Sequence, residues 1–392
     1  MTLAARTFCD AAAARGFGVV SGVPCSWLQP LIDEVSASGA WRYVPAANEG
    51  DATAIAAGAH VGGVRGIALF QNSGLGNAVN PLTSLHDTMR IPVLLLVTHR
   101  GAPSGPHDEP QHDLMGRITP ELLALMGIPH RPFPRGPAEL ERALDEDCAT
   151  MDRTRRPVAW VVPKGAIGKG APPASPPVPQ HAPPVLQPAS GPAELDRPAL
   201  LRAVRAHARP GDVLIATTGF TGRTLYALGD ADDQLYMVGS MGCAVSFGLG
   251  LALARPERRV IVLDGDGALL MRLGALSSVG WLQPSNLWHF LLDNGVHDST
   301  GGQATATGFV DLAAIAAACR YRSVLRVQGS PDVATAMDSG GGGPVFVHCP
   351  IRPGAGMTLP RPAIAPQDVV ARLERHLGVR VSGERAPGAG SG

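Results

Sequence analysis

The sequence has almost no lysine: Lys164 and Lys169 are the only two among 33 basic residues, and the remainder are arginine. Acidic residues also number 33, so the formal net charge is zero. Such a balance offers no electrostatic footprint for nucleic acid or an anionic membrane, and neither partner is expected. The six cysteines are scattered, with no C-x-x-C pair; zinc and iron–sulfur spacings are missing, and reduced thiols are expected. No uninterrupted apolar stretch reaches the roughly 20 residues that span a bilayer. Met1 to Gly16 lacks the basic, apolar and cleavage regions of a secretory signal. A soluble, cytoplasmic protein is the expectation. There is no G-x-x-x-x-G-K-[ST] loop, and no G-x-G-x-x-G follows the first expected strand, which argues against an ordinary nucleotide-binding protein.

What the chain does have is length for two domains and a division between them. At 392 residues it can build two cores of ordinary size. Nine prolines fall between Pro172 and Pro192 among Ala, Ser and Gln, a composition that favours extended polyproline II over any packed element. The expected organisation is one domain over 1–168, a linker over 169–193, a second domain over 194–378 and a disordered tail over 379–392. Both halves alternate short apolar runs with helical patterns, so the expected fold is α/β, with two doubly wound parallel sheets. In the first half strands are expected at Gly18–Ser21, Arg42–Ala46, Gly66–Gln71, Pro92–Thr98 and Val158–Val162. In the second they are expected at Val213–Ala216, Leu235–Gly239, Val260–Leu263, Leu287–Leu292, Arg322–Arg326 and Val345–His348.

The most informative spacing is Gly265-Asp266-Gly267, then 26 residues, then Asn294. Val260–Leu263 reads as a buried strand, Ala268 to Trp281 as a crossover helix, and Leu287–Leu292 as the next strand. That order places Asp266 and Asn294 at the carboxyl edge of one sheet, where open α/β folds bind ligands. A carboxylate and an amide oxygen there suit Mg²⁺, which takes oxygen ligands and completes its shell with phosphates. Asp266 as a helix cap and Asn294-Gly295 as a tight turn is the alternative.

This motif resembles that of the thiamine diphosphate enzymes. The resemblance implies a pyrimidine-binding domain followed by a diphosphate-binding domain, with no central third domain. It implies that Asp266, the Asn294 side chain and the Val296 carbonyl hold Mg²⁺, and that Gly265, Gly267, Ala268, Thr218 and Gly219 line the diphosphate. Asp293 stands where many members carry Asn. Glu49, in Ala46-Ala47-Asn48-Glu49-Gly50, resembles the glutamate that shares a proton with the cofactor's pyrimidine ring; Asn48 is also a helix cap, with Glu49 complementing the dipole. Met241, in Val238-Gly239-Ser240-Met241-Gly242, resembles the apolar wedge that keeps the cofactor bent, with Gly239 and Ser240 beside it; a buried core methionine is the alternative. Because Glu49 and Asp266 lie on different domains, the resemblance implies a site bridged between subunits, in a homodimer or homotetramer.

Gly22-Val23-Pro24-Cys25-Ser26, Phe70 to Asn77, and Arg100 with His107 to His112 closely resemble phosphonopyruvate decarboxylases and their sulfopyruvate relatives. The run from Asp293 to Gln303 resembles the phosphonate branch. The implied reaction is loss of CO₂ from 3-phosphonopyruvate, giving phosphonoacetaldehyde, in phosphonate or antibiotic biosynthesis. A substrate with two anionic ends suits Arg and protonated His, so Arg100, His107, His112 and His297 are candidates, with Asn72, Ser73 and Cys25 beside them. A polar surface loop would collect the same residues. Sulfopyruvate decarboxylation, carboligation and a non-catalytic cofactor-binding subunit are the competing functions.

Overall fold

The computed structural model describes residues 2–168, 185–186, 193–338, 342–354 and 358–379; all of the expected tail after Val379 lies outside them, as does most of the linker. The first sheet has six strands in the order Arg42–Pro45, Phe17–Gly22, Arg65–Phe70, Leu94–Thr98, Val158–Val162 and His130–Pro132. Every pairing is parallel. Its central strand, Leu-Leu-Leu-Val-Thr, is buried throughout, as a parallel strand covered on both faces must be. His130–Pro132 was not expected; it is a three-residue edge strand with a proline and exposed ends, a place where a ladder tolerates proline.

The second sheet runs Gln234–Tyr236, Val213–Ala216, Val260–Gly265, Leu287–Asp293, Val345–Arg352, Ser323–Arg326 and Val185–Leu186, with Leu195–Asp196 pairing the far end of Val345–Arg352. Residues 185–186 come from the stretch expected to be linker only. They pair with Ser323 and Val324, so the proline-rich strap lays one short strand on the sheet edge. Leu263 pairs Phe290 and Gly265 pairs Leu292, and this register delivers Asp266 and Asn294 side by side at the carboxyl edge. The crossover helix expected at 268–281 is instead two helices, Asp266–Met271 and Ala275–Leu282. Arg272 leaves the helical region, with φ −137° and ψ 47°, and its side chain crosses to the other domain.

The domains meet through the helices Glu49–Val61 and Ala244–Ala254. Both are built of Ala, Gly and apolar residues and are buried on nearly every side. A methyl group added to Gly58 would lie 1.9 Å from the Phe247 carbonyl oxygen, and one added to Gly250 would lie 1.9 Å from that of Ile55. The two helices therefore touch backbone to backbone, through a reciprocal pair of glycines. One apolar core runs across this contact, from Ile55 and Phe70 in the first domain to Val262 and Phe290 in the second.

Candidate active site

Asp266 is 3% exposed and opens its helix. Thr305 donates its hydroxyl to Asp266 Oδ2 at 2.6 Å. Burial pushes the carboxyl up and Thr305 opposes it, while the nearby Asp293 charge adds to the rise. Asn294 donates from Nδ2 to Asp298 Oδ2 at 2.7 Å. That bond fixes the amide orientation and leaves Oδ1 with only a long contact, 3.4 Å, from the Val296 amide. Asp293 accepts from Gly295 N at 3.2 Å and Thr307 Oγ1 at 3.1 Å, and pairs with His348 Nε2 at 2.9 Å. The aspartate in place of the family's asparagine thus takes up a local hydrogen-bonding role.

Thr218, Met241, Gly265, Asp266, Gly267, Ala268, Asn294, Val296 and His297 line a single cleft, and Gly219 follows Thr218 with φ 90°. Among the described residues no three His, Cys, Asp or Glu side chains cluster as a metal cage. One carboxylate, one oriented amide and one backbone carbonyl instead make a partial oxygen set of the kind that phosphates complete around Mg²⁺. Thr217 and Arg197 also line this cleft, and Thr217 Oγ1 and two nitrogens of Arg197 are buried without a partner. These donors fit an oxygen-rich diphosphate with its metal.

Glu49 begins the other helix. Asn48 caps that helix, its Oδ1 accepting from Gly50 N at 2.8 Å, so capping and a separate role for Glu49 coexist. Glu49 is 9% exposed, and Asn77 donates Nδ2 to its Oε2 at 2.8 Å. A Cβ on Gly74 would fall 2.0 Å from Glu49 Oε1, so only glycine leaves room for the carboxylate. Arg272 reaches Asn48 Oδ1 at 2.5 Å and Asp51 Oδ1 at 3.4 Å. Burial lifts the Asp51 carboxyl to about 6 against the pull of Arg272.

The Met241 loop closes on the same region. Ser240, with φ 51°, donates its N–H to Ser84 Oγ at 2.9 Å, and its hydroxyl lies 2.8 Å from the same oxygen. Gly239 abuts Ser84 as well. Ser84 hydrogen-bonds Asn80, on the Leu75–Pro81 helix that also carries Asn77. A site bridged between subunits was the expectation from the resemblance. Within one chain the surroundings of Glu49 and of Met241 meet through Ser84, which accepts from Ser240 N, and through Arg272, which donates to Asn48.

The proposed substrate residues divide. Arg100 donates Nε and Nη2 to Asp108 at 3.0 and 2.7 Å and Nη1 to Gln71 Oε1 at 3.2 Å. His112 Nδ1 is 3.1 Å from Asp108 and its Nε2 is 3.3 Å from Gln71. Gln71 also meets Ser73 Oγ at 2.6 Å and Cys25 Sγ at 3.6 Å. Arg100, His112, Ser73 and Cys25 therefore converge on Gln71 and Asp108, two residues that were not singled out. The Arg100 bonds hold the Asp108 carboxyl well below the usual range. His297 lies apart from them, with its ring against Gly267 in the cleft of Asp266 and Asn294. His107 is exposed and joins neither group. Asn72 is fully buried: its Nδ2 donates to Arg100 O at 2.9 Å and Thr119 Oγ1 at 3.1 Å, and its Oδ1 accepts from Arg100 N at 3.2 Å. It ties loops together and has no free group for a substrate.

Family models for the N-terminal and C-terminal TPP binding domains of thiamine pyrophosphate enzymes match residues 2–117 and 225–349. The chain is 44% identical over 370 residues to a phosphonopyruvate decarboxylase of Streptomyces hygroscopicus, covering 91% of this chain and 90% of that one. The chain belongs to the thiamine pyrophosphate enzyme family. Within that family it is also 43% identical to a phosphonopyruvate decarboxylase of Streptomyces viridochromogenes, over 95% of both chains. A sulfopyruvate decarboxylase of Methanosarcina acetivorans is 30% identical over 93% of this chain and 95% of that one. In three dimensions this thiamine pyrophosphate enzyme shares its fold with benzoylformate decarboxylase from Polynucleobacter necessarius, at TM-score 0.72 and 13% identity, covering 91% of this chain and 100% of that one.

Several residues that hold the site escaped the sequence reading. Gln71, Asn77 and Asp108 stood inside motifs that were noticed, yet their partners lie 29, 28 and 8 residues away. Arg272, Ser84, Thr305 and Arg197 carried no local signal.

Proposed function

We propose that this thiamine pyrophosphate enzyme decarboxylates 3-phosphonopyruvate non-oxidatively to phosphonoacetaldehyde and CO₂, using thiamine diphosphate and Mg²⁺. One observation carries the choice of substrate. Identity is 43–44% to two phosphonopyruvate decarboxylases over 91–95% of this chain, against 30% to the sulfopyruvate decarboxylase over a similar span.

The cofactor, when bound, supplies the electron sink that decarboxylation of a 2-oxo acid needs. The chain supplies everything around it. Asp266, Asn294 and the Val296 carbonyl hold Mg²⁺, while Thr218, Gly219, Gly265, Gly267 and Ala268 enclose the diphosphate. Glu49 holds and returns a proton at Oε1, the oxygen left without a hydrogen bond while Asn77 occupies Oε2. Gly239 and Ser240 seat the Met241 side chain as the wedge, with Ser84 bracing the loop. Arg100 and His112 grip the substrate's anionic ends, poised by Asp108 and Gln71, with Cys25 and Ser73 beside them and His297 on the cofactor side. The Gln71 loop continues directly into Gly74, which touches Glu49, so substrate and proton-transfer groups share one support.

The enzyme acts in the cytoplasm as a homodimer or homotetramer, in phosphonate or antibiotic biosynthesis. No helix among the described residues is long and apolar enough to cross a membrane. Measuring CO₂ and aldehyde from phosphonopyruvate, sulfopyruvate and pyruvate tests the substrate. Good turnover of sulfopyruvate with none of phosphonopyruvate would replace this reading with the sulfonate one.

A further inference from the structure

Arg197 is the first residue of the Arg197–Ala206 helix, where the chain enters the second domain. Its backbone is well fixed. Asp196 caps the helix by accepting from Ala199 N at 2.8 Å, and Leu195 and Asp196 pair with Ile351 and Arg352 of the sheet. The side chain is 8% exposed, and its guanidinium carbon lies 5.8 Å from the centre of the Phe220 ring. Nη2 donates to Asp298 Oδ2 at 2.8 Å. Nε and Nη1 are buried without a partner, and the residue lines the cleft of Asp266, Asn294 and Val296.

A guanidinium needed only to neutralise Asp298 would not bury two idle donors, since leaving charged donors unsatisfied away from water is costly. An anionic oxygen partner removes that cost. A diphosphate also carries more negative charge than a divalent ion already shared with Asp266 can neutralise. The guanidinium fork matches phosphate oxygens in shape as well as charge.

We propose that Arg197 is a cofactor-binding residue, donating from Nε and Nη1 to the diphosphate while Nη2 remains on Asp298. This rests on the thiamine diphosphate reading above. The same side chain then serves two ends: it neutralises the anion directly, and through Asp298 it keeps the Asn294 amide turned with its oxygen free.

The test is calorimetric titration of the full-length protein with thiamine diphosphate and, separately, inorganic pyrophosphate, each with Mg²⁺. Arg197→Met is expected to weaken both by a similar factor, about ten- to a hundredfold, as loss of hydrogen bonds to a charged group does. Arg197→Lys, which keeps the charge without the fork, is expected to fall between. Asp298→Asn separates direct contact from positioning: it disturbs the Asn294 amide but retains the guanidinium, so its loss of pyrophosphate affinity is expected to be smaller than that of Arg197→Met. Thermal melts of the unliganded variants establish that each is folded. Unchanged pyrophosphate affinity in folded Arg197→Met overturns the proposal. So does an Asp298→Asn loss equal to that of Arg197→Met, which would make Arg197 a positioning residue only. Wild-type protein that binds neither ligand overturns the cofactor reading itself.

Discussion

Gly58→Ala probes the contact on which the composite site depends. The added methyl group would lie 1.9 Å from the Phe247 carbonyl oxygen, where real Cβ atoms essentially never come within 3.0 Å. The obstacle is backbone on both helices, so no side chain can swing aside, and the helices must part by more than 1 Å. Overpacking of this kind costs about 1–3 kcal/mol, which for domains of this size lowers Tm by roughly 2–12 °C. Glu49 is the first residue of one helix and Met241 lies three residues before the other, so the same movement separates the proton-transfer group from the wedge. A misplacement near 1 Å costs on the order of a hundredfold in rate. The matched control is Gly76→Ala, on the Leu75–Pro81 helix, where an added methyl meets nothing within 4 Å; there the change is neutral or stabilises by up to about 1 kcal/mol. Differential scanning calorimetry and kcat with saturating cofactor read both effects. If Gly58→Ala melted and turned over like wild type, the backbone contact between the domains would be refuted.

Two further substitutions test other parts of the account. Asp51 has its carboxyl raised to about 6 in the folded protein against 3.8 in the unfolded chain. The folded state therefore holds this proton more tightly, and stability falls as pH rises from about 4 to about 6 and then levels off. At ~1.4 kcal/mol per pH unit the loss is on the order of 3 kcal/mol, and Asp51→Asn should abolish it; parallel denaturant stabilities of the two proteins at pH 4.5 and 7 would contradict the assignment. Arg100→Met should raise KM for phosphonopyruvate about tenfold or more and leave any turnover of pyruvate, which has no phosphonate, much less affected; equal effects on both would remove Arg100 from the anion site.

The parallel sheets were legible because central strands are short, unbroken apolar runs such as Val260–Leu263 or Leu94–Val97, a pattern that a strand buried on both faces requires. The placement of Asp266, Asn294 and Glu49 was legible for a related reason: they follow the ends of the strands Val260–Gly265, Leu287–Asp293 and Arg42–Pro45, and the turn residues announce that. What stayed hidden depends on contacts between distant residues. The break at Arg272 follows from partners more than 200 residues away, and nothing in Ala268 to Trp281 itself interrupts a helix before Gly274. Val185 and Leu186 are two apolar residues among prolines, and only the exposed edge at Ser323–Arg326 makes them a strand. Asn72 is a substrate candidate by the resemblance of its run and its capacity to donate a hydrogen bond, yet its amide is spent on Arg100 and Thr119. Arg197 follows the strap with no motif around it, and only burial reveals its idle donors.

The most direct test of the central claim is the rate of CO₂ release from phosphonopyruvate by wild type and Glu49→Gln, each saturated with thiamine diphosphate and Mg²⁺ as shown by titration. Glutamine keeps the shape beside Gly74 and Asn77 but cannot carry the proton, so the account predicts retained cofactor binding with a rate about 10²–10⁴-fold lower. Undiminished CO₂ release from cofactor-saturated Glu49→Gln would contradict it.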